Sequence, residues 1–444
     1  MESSRRKFIA TAVSGAIASV AAPAEENMIT GPLIVPKEVF GANDRVRVAV
    51  LGVNQRGTEH VSSIMQLNDA EVVAYCDPDL NVANQRAKEF EEKYKKKVLV
   101  EQNFRKIYDN KNIDAVSIAT PNHWHTLLAI WACQAGKDVY VEKPGTHNVH
   151  EGRKLIEAAY KYNRIVQHGV QSRSFDTVRE AVNHLRNGLI GRVYMSRGLC
   201  FRNRPSIGNK GISNIPKGLD YDLWCGPAPM VPFTQNLVHY NWHWHWNYGN
   251  GDVGNQGIHQ TDLCMWGLNV GLPEQITSMG GKFLWDDCKE VPEVQTSVYH
   301  YPKEKKIIQF EVRHWHTNME DGVGVGVIFY GDKGYMVVNN SGHYQTFLGN
   351  GREKGPEQVQ KAGNQVDHFQ NWINAIKARD MSLQNGPVET AHLSSALAHL
   401  GNISYRLGRQ LNFDPVAERF IGDEDANNML SREYRTPYVI PEKI

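Results

Sequence analysis

The stretch "RVRVAVLGVNQRG", Arg45 to Gly57, decides the fold. Val46, Val48, Ala49, Val50 and Leu51 make a short, almost continuous apolar run, the pattern of a strand buried on both faces. The run breaks at Gly52, and "TEHVSSIMQL" continues with Val61, Ile64, Met65 and Leu67 at helical spacing. The turn between them reads Gly52-Val53-Asn54-Gln55-Arg56-Gly57, or G-x-N-x-x-G. Gly52 permits a tight turn and Gly57 a close helix–strand contact, and the helix start offers free N–H groups to a pyrophosphate. Asn54 replaces the second glycine of that fingerprint; asparagine tolerates unusual backbone angles. A second strand, "AEVVAYCDPD", closes at Asp77, 20 residues beyond Gly57. A carboxylate there accepts from ribose hydroxyls and repels a 2′-phosphate, which favours NAD over NADP.

Further strands end "AVSIATPNHWH", "KDVYVEKP" and "RIVQHG", with helix-like segments between them. Strand and helix in alternation give a doubly wound parallel sheet over 43–170, an α/β Rossmann domain whose ligands bind at the strand C-termini. Beyond Gln171 the pattern changes to β-branched, alternating segments with Gly, Asn and Asp turns, such as "GRVYMSRGLCFR" and "VGVIFYGDKGYMVVNN". These predict an α/β domain over 171–410, with a large, mostly antiparallel open sheet and two late helices, "GNQVDHFQNWINAIKARD" and "VETAHLSSALAHLGNISYRLGRQ". Residues 411–444 read as a surface tail. A chain of 444 residues is too long for one ordinary core, which agrees with two domains.

The first residues have their own reading. "SRRKFIATAVSGAIASVAAPA" carries the pair Arg5 and Arg6, a weakly apolar stretch from Phe8 and the small-residue pattern Ala22-Pro23-Ala24. This reads as a Tat-type signal peptide over 1–24, followed by a linker over 25–42, and predicts a periplasmic or otherwise exported protein. The Tat route moves folded proteins, often with a cofactor inside. Since free NAD is scarce outside the cytoplasm, the expectation is a cofactor bound before export and retained. The net charge of +1 gives no footprint for nucleic acid or an anionic membrane. The six cysteines include no CxxC pair, which indicates neither a zinc knuckle nor a disulfide framework.

Three groups of residues carry chemistry. Thr120, Pro121 and Asn122 end a strand where the nicotinamide would lie, although Asn122 equally suits a helix cap. His123 and His125 open that helix and are not read as metal ligands; His125 joins the residues expected beside the cofactor. In "YVEKPGTHN", Pro144 biases Lys143 toward extended geometry at the rim of the cleft. An ammonium there lowers the cost of an alkoxide forming as a hydroxyl loses hydride, and Glu142 can orient it. In "HYNWHWHWNYGNGDVGNQGIHQTDLCMWGL", His259 and Asp262 share a helix face, with Asn255 and Gln256 just before. His259 is the candidate acid/base. Trp242, Trp244 and Trp246 alternate with His243 and His245, which on a strand puts rings on one face and imidazoles on the other. Asn241, Trp242 and His243 are therefore expected to contact a sugar ring with Lys143, Asn255 and His259. His239, His243, His245 and His259 lack a carboxylate or cysteine to complete a metal set, so no metal is expected.

With G-x-N-x-x-G, Asp77, "EKP" and "GNGDVGNQGIHQTD" in this order, residues 43–410 resemble the Gfo/Idh/MocA-type oxidoreductases. The resemblance implies a Rossmann domain, a C-terminal open-sheet domain used for homo-dimers or homo-tetramers, and hydride transfer between NAD(P) and a sugar, inositol or polyol. It matches Lys143 to the "EKP" lysine and His259 to the catalytic histidine. The family pattern usually has Asp four residues before that histidine; here the position is Asn255, which cannot act as a base. Lys143 would then stabilise the alkoxide while His259 takes the proton. The family also includes NAD-dependent glycosidases, which oxidise a sugar transiently, eliminate the aglycone and return the hydride. That branch lacks the "EKP" lysine, so Lys143 favours a plain oxidoreductase. A non-catalytic binding module is the third reading, and the retention of Lys143 and His259 argues against it.

Overall fold

The computed structural model describes residues 44–315, 317–359 and 365–444. The expected signal peptide and linker lie outside these residues. The N-terminal sheet holds β1 (Val46–Leu51), β2 (Ala70–Cys76), β3 (Leu99–Glu101), β4 (Ala115–Ile118), β5 (Asp138–Val141) and β6 (Val166–His168). Its six strands run parallel in the order β3-β2-β1-β4-β5-β6. Helices α1 (Gln55–Ile64), α2 (Leu80–Tyr94), α3 (Phe104–Asp109), α4 (Asn122–Gln134) and α5 (Val149–Lys161) connect them. The order reverses between β1 and β4, the position where such sheets open a ligand crevice.

The second sheet has ten strands in the order β14-β13-β12-β11-β7-β10-β9-β8-β15-β16. They are β7 (Val193–Arg202), β8 (Gln275–Gly281), β9 (Val294–Tyr301), β10 (Lys306–His314), β11 (Val325–Gly331), β12 (Gly334–Asn339), β13 (Tyr344–Leu348), β14 (Glu353–Gln358), β15 (Leu411–Asp414) and β16 (Arg419–Phe420). All pairs are antiparallel except β7 with β10. Helices α6 (Asp176–Arg186), α7 (Gly257–Leu268) and α9 (Val388–Leu407) pack on one face. Ile258, Cys264, Tyr299, Phe310, Phe329 and Leu400 are wholly buried there, each large side chain contributing about 1.5–3 kcal/mol. In β9 every second residue is only half-buried, so the opposite face is left partly open.

The surface tail expected at 411–444 is not found. β15 pairs with β8, Leu411, Phe413 and Phe420 are buried in the second-domain core, and Tyr438 and Ile440 pack into the Rossmann core. Their apolar residues are spaced by turn residues and give no run long enough to read. Nor is the boundary at 170/171 a spatial one. Helix α8 (Gln365–Ala378) lies against the Rossmann sheet, where Phe369 stacks on Tyr140 with centroids 4.2 Å apart.

Candidate active site

The G-x-N-x-x-G turn leaves β1 at Gly52, whose φ is 80°. A Cβ on Gly52 would lie 2.8 Å from the backbone of Ala119, and one on Gly57 would lie 1.9 Å from the Gly52 oxygen. Both positions therefore exclude a side chain. The Asn54 backbone is extended, and its Oδ1 accepts from the Gln55 N–H at 3.0 Å, capping α1. The left-handed angle falls on Gln55 instead, at φ 23°. Asp77 is buried at the end of β2. Its Oδ2 accepts from the Val53 N–H and its Oδ1 from the Asp79 N–H, both at 3.0 Å. Burial raises its pKa, and these two donors partly offset that.

Glu142 does not orient the Lys143 ammonium. Its Oε1 accepts from Arg56 Nε at 2.7 Å and from Gln171 Nε2 at 3.2 Å and sits 3.1 Å from His60 Nε2; its Oε2 accepts from the backbone N–H of Lys143 at 3.0 Å. Burial opposes its charge, yet Arg56 and His60 hold the carboxyl well below the usual range. Arg56 is thereby committed to a buried ion pair at the start of α1. The His125 ring nitrogens lie 2.7 Å from the Pro144 and Thr120 carbonyls, and the neutral imidazole that burial favours donates its one N–H to either strand end.

The Lys143 ammonium donates to Asn255 Oδ1 at 3.0 Å. Asn255 Nδ2 donates to Asp252 Oδ1 at 3.3 Å. A carboxylate only accepts, so the Asp252 contact fixes which end of the amide faces Lys143. Asp252 is itself gripped by Arg204, through Nε and Nη2 at 2.8 Å each, and lies 3.0 Å from His314 Nε2. Lys143 therefore has an amide, not a carboxylate, on its ammonium, and burial lowers its pKa.

His259 lies at the start of α7, half-buried, with Nδ1 buried and unpartnered. Burial, then the Lys143 charge, lower its pKa to about 3. It does not line the cleft, and neither does Asn241. Asp262 does not join the site either; it forms a bidentate pair with Arg173 at 2.7 and 2.9 Å. The expected Trp/His strand is a short 3₁₀ helix, Asn241–Trp244. Trp242 and Trp244 are buried, and His243 stacks on Trp242 with centroids 3.6 Å apart. Period-two spacing is shared by strands and tight turns, so it could not separate them. Among the described residues no His, Cys, Asp and Glu cluster could hold a metal.

Sequence reasoning missed the segment that covers the cleft. From Lys217 to Tyr248 the chain leaves the second domain and lies across the Rossmann strand ends. Leu80 N–H donates to the Gly218 carbonyl at 3.0 Å, Asp220 N–H to Pro78 at 2.9 Å, and Trp124 Nε1 to Leu223 at 3.0 Å. His239 pairs with Asp79 at 3.2 Å. Leu219, Tyr221, Trp224, Phe233, Leu237 and Tyr248 give the strap its own small core. Its aromatic density was the available signal. Together the strap and the Rossmann edge border an open cleft of about 260 Å³, lined by Gly52, Asn54, Gln55, Arg56, Asp77, Thr120, Pro121, Asn122, His125, Glu142, Lys143, Trp224, Tyr240, Trp242, His243 and Asn255. A turn with a glycine at each end, a helix start and a carboxylate at the end of β2 are the features a dinucleotide requires, so these residues fit one.

The chain belongs to the Gfo/Idh/MocA oxidoreductase family: 46–170 match its NAD-binding Rossmann fold and 204–271 with 327–440 its C-terminal alpha/beta domain. It is 29% identical over 213 residues to a glycosyl hydrolase family 109 protein of Shewanella pealeana, a match covering 44% of this chain and 45% of that one. An alpha-N-acetylgalactosaminidase of Shewanella oneidensis is 29% identical over 168 residues, covering 36% of this chain and 35% of that one. The chain thus matches less than half the length of these curated relatives. Two solved structures share the fold. One is the aldose-aldose oxidoreductase of Caulobacter crescentus complexed with glycerol, with TM-score 0.64 and 16% identity over 83% of this chain and 100% of that one. The other is the WlbA dehydrogenase of Chromobacterium violaceum in complex with NADH and UDP-GlcNAcA, with TM-score 0.63 and 18% identity over 87% and 99%.

The Lys143–Asn255 contact yields a prediction. Asn255→Asp places a carboxylate on the ammonium and raises the lysine pKa. If the amine is the proton acceptor, the acid limb of the kcat/KM profile moves to higher pH. An unshifted limb would show that it reports another group.

Proposed function

We propose that the protein transfers a hydride between a hydroxyl-bearing carbon of a sugar, glycoside or polyol and a tightly held nicotinamide dinucleotide. The observation that carries this is Lys143: a half-buried amine, free of a carboxylate partner, in a cleft suited to a dinucleotide. The bound cofactor supplies a hydride acceptor and donor. The α1 start and the Gly52–Gly57 turn hold its phosphates, and Asp77 its ribose, which favours NAD over NADP. The amine of Lys143 takes the hydroxyl proton, because burial lowers its pKa and so favours the neutral amine. His259, outside the cleft lining and kept neutral by a pKa of about 3, does not compete for that proton. The proton-accepting role expected of His259 from sequence thus moves to Lys143, and the physical reason is burial.

The strap over the cleft supports a cofactor that does not exchange freely. That property suits the exported protein we infer from Arg5, Arg6 and the residues after them. A partly open face of the ten-stranded sheet suits a homo-dimer or homo-tetramer.

A second reading is redox-neutral glycoside cleavage, which the names of the Shewanella relatives favour. Presenting the purified protein with aryl glycosides, and with free sugars plus a second sugar as acceptor, separates the two. Net hydride transfer gives a keto sugar or lactone and a reduced acceptor. Cleavage gives free aglycone with no net reduction of the nicotinamide. Neither product from any carbohydrate would overturn both readings.

A further inference from the structure

A second cavity of about 230 Å³ shares no lining residue with the dinucleotide cleft. It lies behind the two loops that carry the site: His147 follows Lys143 by four residues, and Asn250 precedes Asp252 by two. Its lining is rich in donors. His147 Nδ1 sits 3.1 Å from Arg432 Nη1. A guanidinium only donates, so Nδ1 is the acceptor and Nε2 carries the hydrogen. Asn250 Nδ2 has no hydrogen-bond partner although Asn250 is only 6% exposed, and the His147 ring, 8% exposed, has no more than the Gly249 backbone on its other side. A buried donor left unpaired is costly to keep without a ligand.

Two cations line the same space. Arg432 donates to the Asn247 and Pro227 carbonyls and to no carboxylate. Arg406 lies 5.1 Å over the Trp246 ring, and its guanidinium makes no hydrogen bond among the described residues. Burial is the main influence on both and lowers their pKa. No Asp or Glu lines the cavity. The nearby Glu151 is spent on the His147 N–H at 2.8 Å and on Asn148, and Glu290 on the Trp246 N–H at 2.8 Å.

We propose that this cavity is a second ligand site, taking a compact oxyanion (a carboxylate, phosphate or sulfate group) between Arg406, Arg432, His147 and Asn250. Trp246 and its stacked arginine form an aromatic wall beside the anion, against which an attached sugar ring would lie. The site does not depend on the hydride-transfer reading, because no residue in it handles substrate protons.

Calorimetry on the full chain, with its dinucleotide in place, tests this at constant ionic strength in chloride. Sodium phosphate, sodium glucuronate and glucose are the probes. Saturable one-to-one binding of phosphate or glucuronate but not glucose is expected, with at least about tenfold weakening in Arg406→Gln and retention of most affinity in Arg406→Lys. Glucuronate alone would identify an acidic saccharide, and phosphate alone a phosphoryl group or free ion. No binding of either anion, or unweakened binding in Arg406→Gln, would overturn the proposal. Arg406 is exposed, and dinucleotide content serves as its folding control.

Discussion

Lys143→Met is expected to lower kcat by about 10²–10⁴-fold, the usual contribution of one positioned proton-transfer group. Dinucleotide content should stay at the wild-type level, because the cofactor turn and Asp77 are held by contacts that do not involve the ammonium. Methionine keeps the length and apolar stem of the side chain but cannot exchange a proton. The acid limb of the wild-type kcat/KM profile should vanish with it. The sign follows from the acid–base chemistry: the neutral amine is the form above the lysine pKa, which burial lowers, so oxidation rises as pH rises through that value. His259→Gln should cost less, since His259 does not line the cleft. Near-wild-type turnover in Lys143→Met, with a collapse in His259→Gln, would restore the histidine as the base.

The largest expected loss of stability comes from Asp252→Ala. This carboxylate is 1% exposed and holds Arg204, His314 and Asn255 together. Its removal leaves a buried guanidinium without its partner, which costs about 3–5 kcal/mol. Burial disfavours the Asp252 charge, but His314 and Arg204 hold the carboxyl well below its ordinary value. A depressed folded-state pKa contributes stability that is complete above the unfolded value of about 4. It is lost as pH falls toward the folded value. The urea midpoint of Asp252→Ala should therefore fall sharply at pH 7, and its gap to wild type should narrow below about pH 4. A gap under about 1 kcal/mol at pH 7 would mean that the pair does not hold the site together.

The two predictions come from sites of different legibility. The Rossmann half was readable because β1 and the G-x-N-x-x-G turn are local: Gly52, Gly57 and Asp77 announce their backbone contacts by spacing. Lys143 and Asn255 were readable as types, but not as partners, because 112 residues separate them. Asp252 stood unnoticed in a glycine-rich run, since its partners Arg204, just beyond β7, and His314, at the end of β10, come from distant parts of the chain. The Trp242–Trp246 stretch was misread as a strand because alternation alone does not fix φ and ψ. The strap and β15 were missed because each is stabilised by distant elements, the Rossmann edge and β8, which leave no local periodicity.

The most direct test is to purify the protein without added nucleotide, denature it, and quantify the released dinucleotide. The account predicts close to one NAD(H) per chain, with little NADP(H), retained through dialysis by the strap over the cleft. A nucleotide-free protein that turns over only when NAD is added would contradict the resident cofactor, and with it the reading of the strap as a cover.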